Sequence, residues 1–154
     1  MGKNVETNLS RFAQLKDCKV KTKAADETVN NSNVLQNDND LYFSIGANES
    51  WLVTTMLDMS AAAAADIQHA FTMPAGCVGR LYKNSYLVDN TAAAITPVVV
   101  ATTAAGTHNY MSGIYIFING ATAGTIQFQW AQNAADVSDA IMYAGSSMIC
   151  QRIK

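Results

Sequence analysis

The stretch that decides the fold is Gly113-Ile-Tyr-Ile-Phe-Ile-Asn-Gly-Ala-Thr-Ala-Gly-Thr-Ile-Gln-Phe-Gln-Trp-Ala-Gln-Asn133. Two apolar runs flank a turn rich in Gly, Ala, Thr and Asn, which reads as a hairpin. In the second run Ile126, Phe128 and Trp130 alternate with Gln127 and Gln129. Period-two alternation places the large side chains on one sheet face and the glutamines on the other. In the first run Ile114, Ile116 and Ile118 share one face, and Tyr115 and Phe117 share the other. A strand apolar on both faces is one covered on both sides, within a sandwich or at a subunit contact.

Outward from this stretch the chain continues as short apolar runs punctuated by turns. Leu41–Ile45, Trp51–Met59, Asp66–Met73, Val78–Lys83, Ser85–Val88, Ile95–Thr102, Ala140–Tyr143 and Ser147–Ile153 all read as strands. Pro97 puts its run at a sheet edge or a bulge. The alanines of 61–65 are too few to stand as a helix between two β runs and read as a loop. Cys18-Lys-Val-Lys-Thr-Lys23 alternates like a strand with its lysines on one face, whereas residues 24–40 are polar and turn-forming. The expectation is an all-β protein: a jelly-roll β-sandwich of about eight strands over residues 41–154, preceded by an extended N-terminal arm over residues 1–40. Trp51, Phe71, Ile126, Phe128 and Trp130 are the expected core.

Composition fits one domain with a short extension. Charged residues make up only 14% of the 154, against roughly 25% in an ordinary soluble domain, which fits either a surface covered by neighbours or simply a β surface rich in Thr, Ser, Asn and Gln. The net charge of −2 is unevenly spread. Lys3, Arg11, Lys16, Lys19, Lys21 and Lys23 against Glu6 and Asp17 give residues 1–23 a balance of +4, and the remainder carries −6. Such an arm suits docking on an acidic protein surface. It lacks the interleaved aromatics of single-strand binders and any DNA-reading module, so nucleic acid is not expected as a partner. No run approaches the roughly 18 apolar residues of a membrane span, and no apolar leader precedes the body. Neither membrane nor export is expected. Cys18, Cys77 and Cys150 fit neither a disulfide framework nor a metal spacing and read as buried free thiols.

The residues of catalysis are sparse. His69 shares a strand face with Ile67 and Phe71, and His108 lies in a loop. Neither has a nucleophile signature beside it of the kind that acyl transfer requires. Asp38 and Asp40, and Asp136 and Asp139, are close in sequence, but the first pair lacks the loop glycine and terminal Glu of a calcium hand. Turn formation and a solvated surface account for both pairs. No Gly-rich phosphate loop is present. The chain is expected to be non-enzymatic, with no metal and no cofactor. A carboxylate hydrolase on a β-sandwich would need two acids about 5–9 Å apart in a cleft.

Gly124-Thr-Ile-Gln-Phe-Gln-Trp-Ala-Gln-Asn133, with Asp136 and Tyr143-Ala-Gly-Ser-Ser-Met148, resembles a segment of small tailed-phage virion proteins. Lys23–Ser32, Asp38–Phe43, Asn48–Trp51 and Asp66–Gly76 extend the resemblance over roughly residues 20–150. Ala134, Ala135 and Val137 depart from it in a loop. The resemblance implies a jelly-roll or TNF-like domain, non-enzymatic and often trimeric, serving as capsid decoration (cement) or as a fibre domain. The leading expectation is a decoration protein on the outer capsid surface, made in the host bacterial cytoplasm. Its partners would be the major capsid protein and itself as a homotrimer. The docking arm would be Lys3, Arg11, Phe12, Lys16, Lys19, Lys21 and Lys23, and the oligomer contact Tyr115, Phe117 and His69. The alternative is a head- or tail-fibre tip binding host glycan through exposed aromatics such as Tyr82, Tyr86 or Tyr110.

Overall fold

The computed structural model describes residues 17–83, 86–90 and 94–154, with backbone alone for 83, 86–90 and 94–96. The described chain is all β. Its twelve strands are β1 (Cys18–Thr22), β2 (Glu27–Asn30), β3 (Gln36–Ile45), β4 (Ser50–Ser60), β5 (Ile67–Thr72) and β6 (Val78–Lys83), followed by β7 (Tyr86–Asn90), β8 (Ala94–Val100), β9 (Asn109–Ile118), β10 (Gly124–Gln132), β11 (Asp139–Met142) and β12 (Ser147–Arg152). They form two antiparallel sheets facing each other as a sandwich. The larger, of eight strands, runs β1-β12-β4-β9-β6-β7, with β11 joining β2 to β4; the smaller, of four, runs β3-β10-β5-β8. From β2 onward every connection crosses between sheets except the β6–β7 hairpin and the β11–β12 link. Alternate crossing gives each layer inward side chains from strands distant in sequence.

The Gly113–Asn133 stretch is therefore not a hairpin. β9 pairs with β4 and β6 in the large sheet, and β10 pairs with β3 and β5 in the small one. The intervening turn is a corner, held by the Asn119 side chain donating to the carbonyls of Gly46 and Thr122 at 2.7 and 2.9 Å. Each strand turns an aromatic face inward, and the two faces meet. Phe71 lies edge-on to Tyr115, Phe117 and Phe128 at centroid distances of 4.8, 5.3 and 5.2 Å. This geometry favours aromatic pairs beyond their area of burial. Trp51, Phe71, Ile126, Phe128 and Trp130 are all buried. Gly113 lies under the Tyr115 ring, where a Cβ would come within 2.7 Å of ring atoms. Any larger residue would lift that ring out of the core.

Residues 18–40 are not an arm. The expected boundary at residue 41 falls inside β3, while β1 and β2 are integral to the large sheet. Polar residues build these strands because their buried charges are paired. The Lys23 ammonium donates to Glu27 at 2.6 Å and to Asp38 at 2.9 Å, with Lys23 and Asp38 both almost wholly enclosed. The other Asp38 oxygen accepts the backbone N–H groups of Asp40 and Leu41. Burial works against the Lys23 charge, but its hydrogen bonds to the Glu27 and Asp38 carboxylates outweigh it and hold its pKa above the ordinary value. At the opposite edge β8 bulges: His69 faces Val98 while Phe71 faces Ile95, so Thr96 and Pro97 together oppose Ala70. A proline that cannot donate to a ladder is accommodated at this edge bulge, as its position in the sequence predicts.

Candidate functional site

The residues expected to make the oligomer contact are core. Tyr115, Phe117 and His69 are each 1% exposed or less. The Tyr115 hydroxyl and His69 Nε2 lie 2.9 Å apart, and the His69 ring stacks on Phe128 at 5.6 Å. Burial pushes the His69 pKa down to about 4 and keeps the imidazole neutral. Because both faces of β9 are apolar, alternation alone cannot say which one the second sheet covers. The aromatic face went inward because it meets Phe71 and Phe128, and the isoleucine face remained outside.

The expected docking lysines divide in a similar way. Lys3, Arg11, Phe12 and Lys16 lie outside the described residues. Lys23 is closed off in its ion triad. The Lys19 ammonium donates to the Ser44 carbonyl and stands 4.5 Å from the Trp51 ring centroid, and Lys21 stands 5.3 Å from Tyr42. Both stems lean toward β3 and cap the aromatic edge of the sandwich, a use of lysine that combines cation–π attraction with stem burial. Cys18 is exposed, unlike Cys77 and Cys150, and all three are free thiols.

The carboxylates serve local structure. Glu49 accepts from Gly46 N and Trp51 Nε1 and pairs with Arg152, which also binds Asp17. Asp66 accepts from Thr102 N, Asp136 from Ser138 N, and Asp139 from Asn30 Nδ2. Asp58 pairs with His108. Among the described residues no group of three or more His, Cys, Asp or Glu is placed to hold a metal ion.

A surface emerges where sequence could not assemble it. On the outer face of the large sheet, register places Val20 opposite Ile149, Ile149 opposite Thr54, Thr54 opposite Ile114 and Ile114 opposite Tyr82. Five strands thus contribute one transverse row, four strand spacings or roughly 19 Å across. Val20, Tyr82 and Ile114 are 62%, 52% and 46% exposed. Leu52 and Ile116 flank the row on one side and Met56 on the other. Among the described side chains around the row, Arg80, beside Ile116, is charged, and its ladder partner on β7 is Asp89. The apolar face covers on the order of a few hundred Å², a size at which an exposed patch on a monomer is commonly a contact site. The signal in the sequence was the second apolar face of β9. Val20, Ile149 and Tyr82 join it only through strand pairing.

Further along β4 and β9 the chemistry changes. Asp58 is paired across the ladder with Tyr110, which is 79% exposed. His108 stacks on Tyr143 at 4.2 Å and 22° and on Tyr110 at 6.2 Å and 19°, so three rings lie nearly parallel. His108 Nδ1–H donates to the Asp58 carboxylate, both oxygens at 2.9 Å, and Tyr143 shares a hydrogen bond with the Ser60 hydroxyl. Beside this stack lies a hollow of about 470 Å³ lined by Met56, Asp58, Tyr110, Ser112, Gly145 and Ser146, among others. Of the tyrosines expected to be exposed, Tyr82 belongs to the apolar row and Tyr110 to this hollow. The side chain of Tyr86 lies outside the described residues.

No protein-family model matches the sequence, and no curated protein matches it either. Among solved structures the chain is similar to one from the structure of infectious bursal disease virus, Gt strain. The TM-score is 0.40 with 13% identity over 86% of this chain, which spans 32% of the viral one. A likeness of that order is too loose to carry a function from one chain to the other.

Proposed function

We propose that this chain is a non-enzymatic structural protein of a tailed-phage virion, and more specifically a capsid decoration protein. It would sit on the outside of the head, bind the major capsid protein and stabilise contacts between neighbouring subunits, with copies of itself grouped as a trimer. On this reading the winding is that of a jelly roll, β1-β12-β4-β9 against β3-β10-β5-β8, with β6 and β7 as an added hairpin. The observation that carries the proposal is the apolar outer row from Val20 to Tyr82, in a chain unusually poor in charge.

Burying a few hundred Å² at about 25 cal/mol per Å² gives on the order of 5–10 kcal/mol per copy. Much of that is offset by lost translational and rotational freedom. One patch of this kind holds a monomer weakly. The same patch repeated across a particle lattice holds firmly, because linked contacts raise the effective concentration. The reading therefore predicts weak association in dilute solution and high occupancy on particles.

The test is occupancy on purified heads that lack the protein, comparing wild type with Ile114→Lys/Ile149→Lys. Both positions are exposed, so the double variant should fold and bind at least tenfold less. Equal occupancy for a folded double variant would overturn the proposed contact face. Failure of the wild type to bind any head would overturn the decoration reading itself.

A further inference from the structure

We propose that the hollow beside Tyr110 is a binding site for a neutral pyranose sugar. The Tyr143–His108–Tyr110 stack is fixed at one end and in the middle: Ser60 bonds the Tyr143 hydroxyl, Asp58 accepts from His108 Nδ1, and Tyr110 completes the stack with most of its ring in solvent. An exposed tyrosine on a strand usually samples several rotamers. Here the His108 ring, itself held by Asp58, lies parallel to it, so the flat face is presented at little entropic cost. A pre-oriented aromatic face suits the C–H face of a sugar ring.

The other walls supply what a polyhydroxylated ring needs. Asp58 spends one His108 N–H across its two oxygens and retains lone pairs to accept sugar hydroxyls. The Ser112 side chain lies on the same face of β9 as Tyr110, and Met56 forms an apolar wall. Gly145, in a left-handed conformation with φ of 89°, leaves its side of the hollow clear of a side chain. A volume of about 470 Å³ falls within the range of small-molecule sites. The lining carries a carboxylate and no lysine or arginine, which disfavours phosphate, sulfate or sialic acid. A single ring is also not the aromatic cage by which quaternary ammonium groups are held.

The site lies four residues along β4 and β9 from the row through Thr54 and Ile114, roughly 13 Å away. It does not rest on the decoration reading, although Met56 borders both the hollow and the apolar row, and a sugar site would serve a head protein or a fibre alike.

The experiment is a titration of the isotopically labelled protein with methyl glucoside, methyl galactoside and methyl mannoside at millimolar concentrations, followed through backbone amide shifts. At least one of the three should shift Tyr110, Ser112, Ala144 and Gly145 together. Tyr110→Phe should retain the effect, while Tyr110→Ala and Asp58→Asn should weaken it at least tenfold. Tetramethylammonium chloride and inorganic phosphate serve as competing probes. The proposal is overturned if none of the sugars shifts these amides, if Tyr110→Ala binds as wild type does, or if tetramethylammonium moves the same amides and the sugars do not. Binding to heads plays no part in this readout, so failure here and failure of the decoration reading are distinguishable.

Discussion

His69 shows how a residue that looks available in sequence is used up by the fold. It lies between sheets, stacked on Phe128 and bonded through Nε2 to the Tyr115 hydroxyl, and is held neutral with a pKa of about 4. In the unfolded chain the imidazole takes its proton near pH 6.5. Since the folded value is the lower one, the stability it contributes is complete above pH 6.5 and is lost as pH falls toward 4. The loss should reach about 3 kcal/mol at the acid end. Urea midpoints measured across this window should fall more steeply for wild type than for His69→Gln; parallel slopes would contradict the buried neutral imidazole. Lys23 is the converse case, a buried charge that is kept. Lys23→Met would leave Glu27 and Asp38 facing each other without a counter-ion, at a cost of about 3–5 kcal/mol. Chemical denaturation at neutral pH checks it, and a change below 1 kcal/mol would mean that the triad is solvated. Because the folded pKa of Lys23 is raised, its contribution persists below the ordinary lysine value and fades only as pH climbs through the folded one.

At the scale of elements, alternation located most strands but not their partners. β4, β5, β6, β9, β10 and β12 stand where apolar runs predict them, and Pro97 marks the β8 bulge. What failed was pairing. β9 and β10 adjoin in sequence with a five-residue turn between them, the usual signature of a hairpin, yet they belong to opposite sheets. Period-two patterning says which residues share a face and nothing about which face meets which sheet. That gap put Tyr115 and Phe117 on the surface and concealed the isoleucine row. The second failure was to place residues 18–40 in an arm outside the domain because 24–40 are polar, when Lys23, Asp38 and Glu27 neutralise one another inside it. A consequence follows for truncation. Removing residues 1–23 deletes β1 and the triad's ammonium, losses that removing residues 1–16 does not incur. The longer deletion should unfold cooperatively at much lower temperature or fail to fold; equal melting of the two would contradict the role of β1 as a strand of the large sheet. Only the shorter deletion isolates a docking role for Lys3, Arg11, Phe12 and Lys16.

As a whole, the molecule joins strands far apart in sequence. β1 pairs with β12, β4 with β9 and β3 with β10, so few contacts are local. Such topologies fold slowly because loop-closure entropy must be met before the ladders form, and refolding in milliseconds to seconds is the expected result. The finished sandwich hides both tryptophans and the described phenylalanines, spends its described carboxylates on turns and ion pairs, and leaves the large sheet's outer face apolar across five strands. That pattern suits a part made to be covered by neighbours, which is the proposed role. It is tested most directly by cryo-electron microscopy of intact particles at a resolution that places strands. Density for this chain is expected on the outer head, with β12, β4 and β9 turned against a neighbouring subunit and Ile114 and Ile149 inside the contact. Particles in which that sheet faces solvent, or in which the chain is absent from the head, would contradict it.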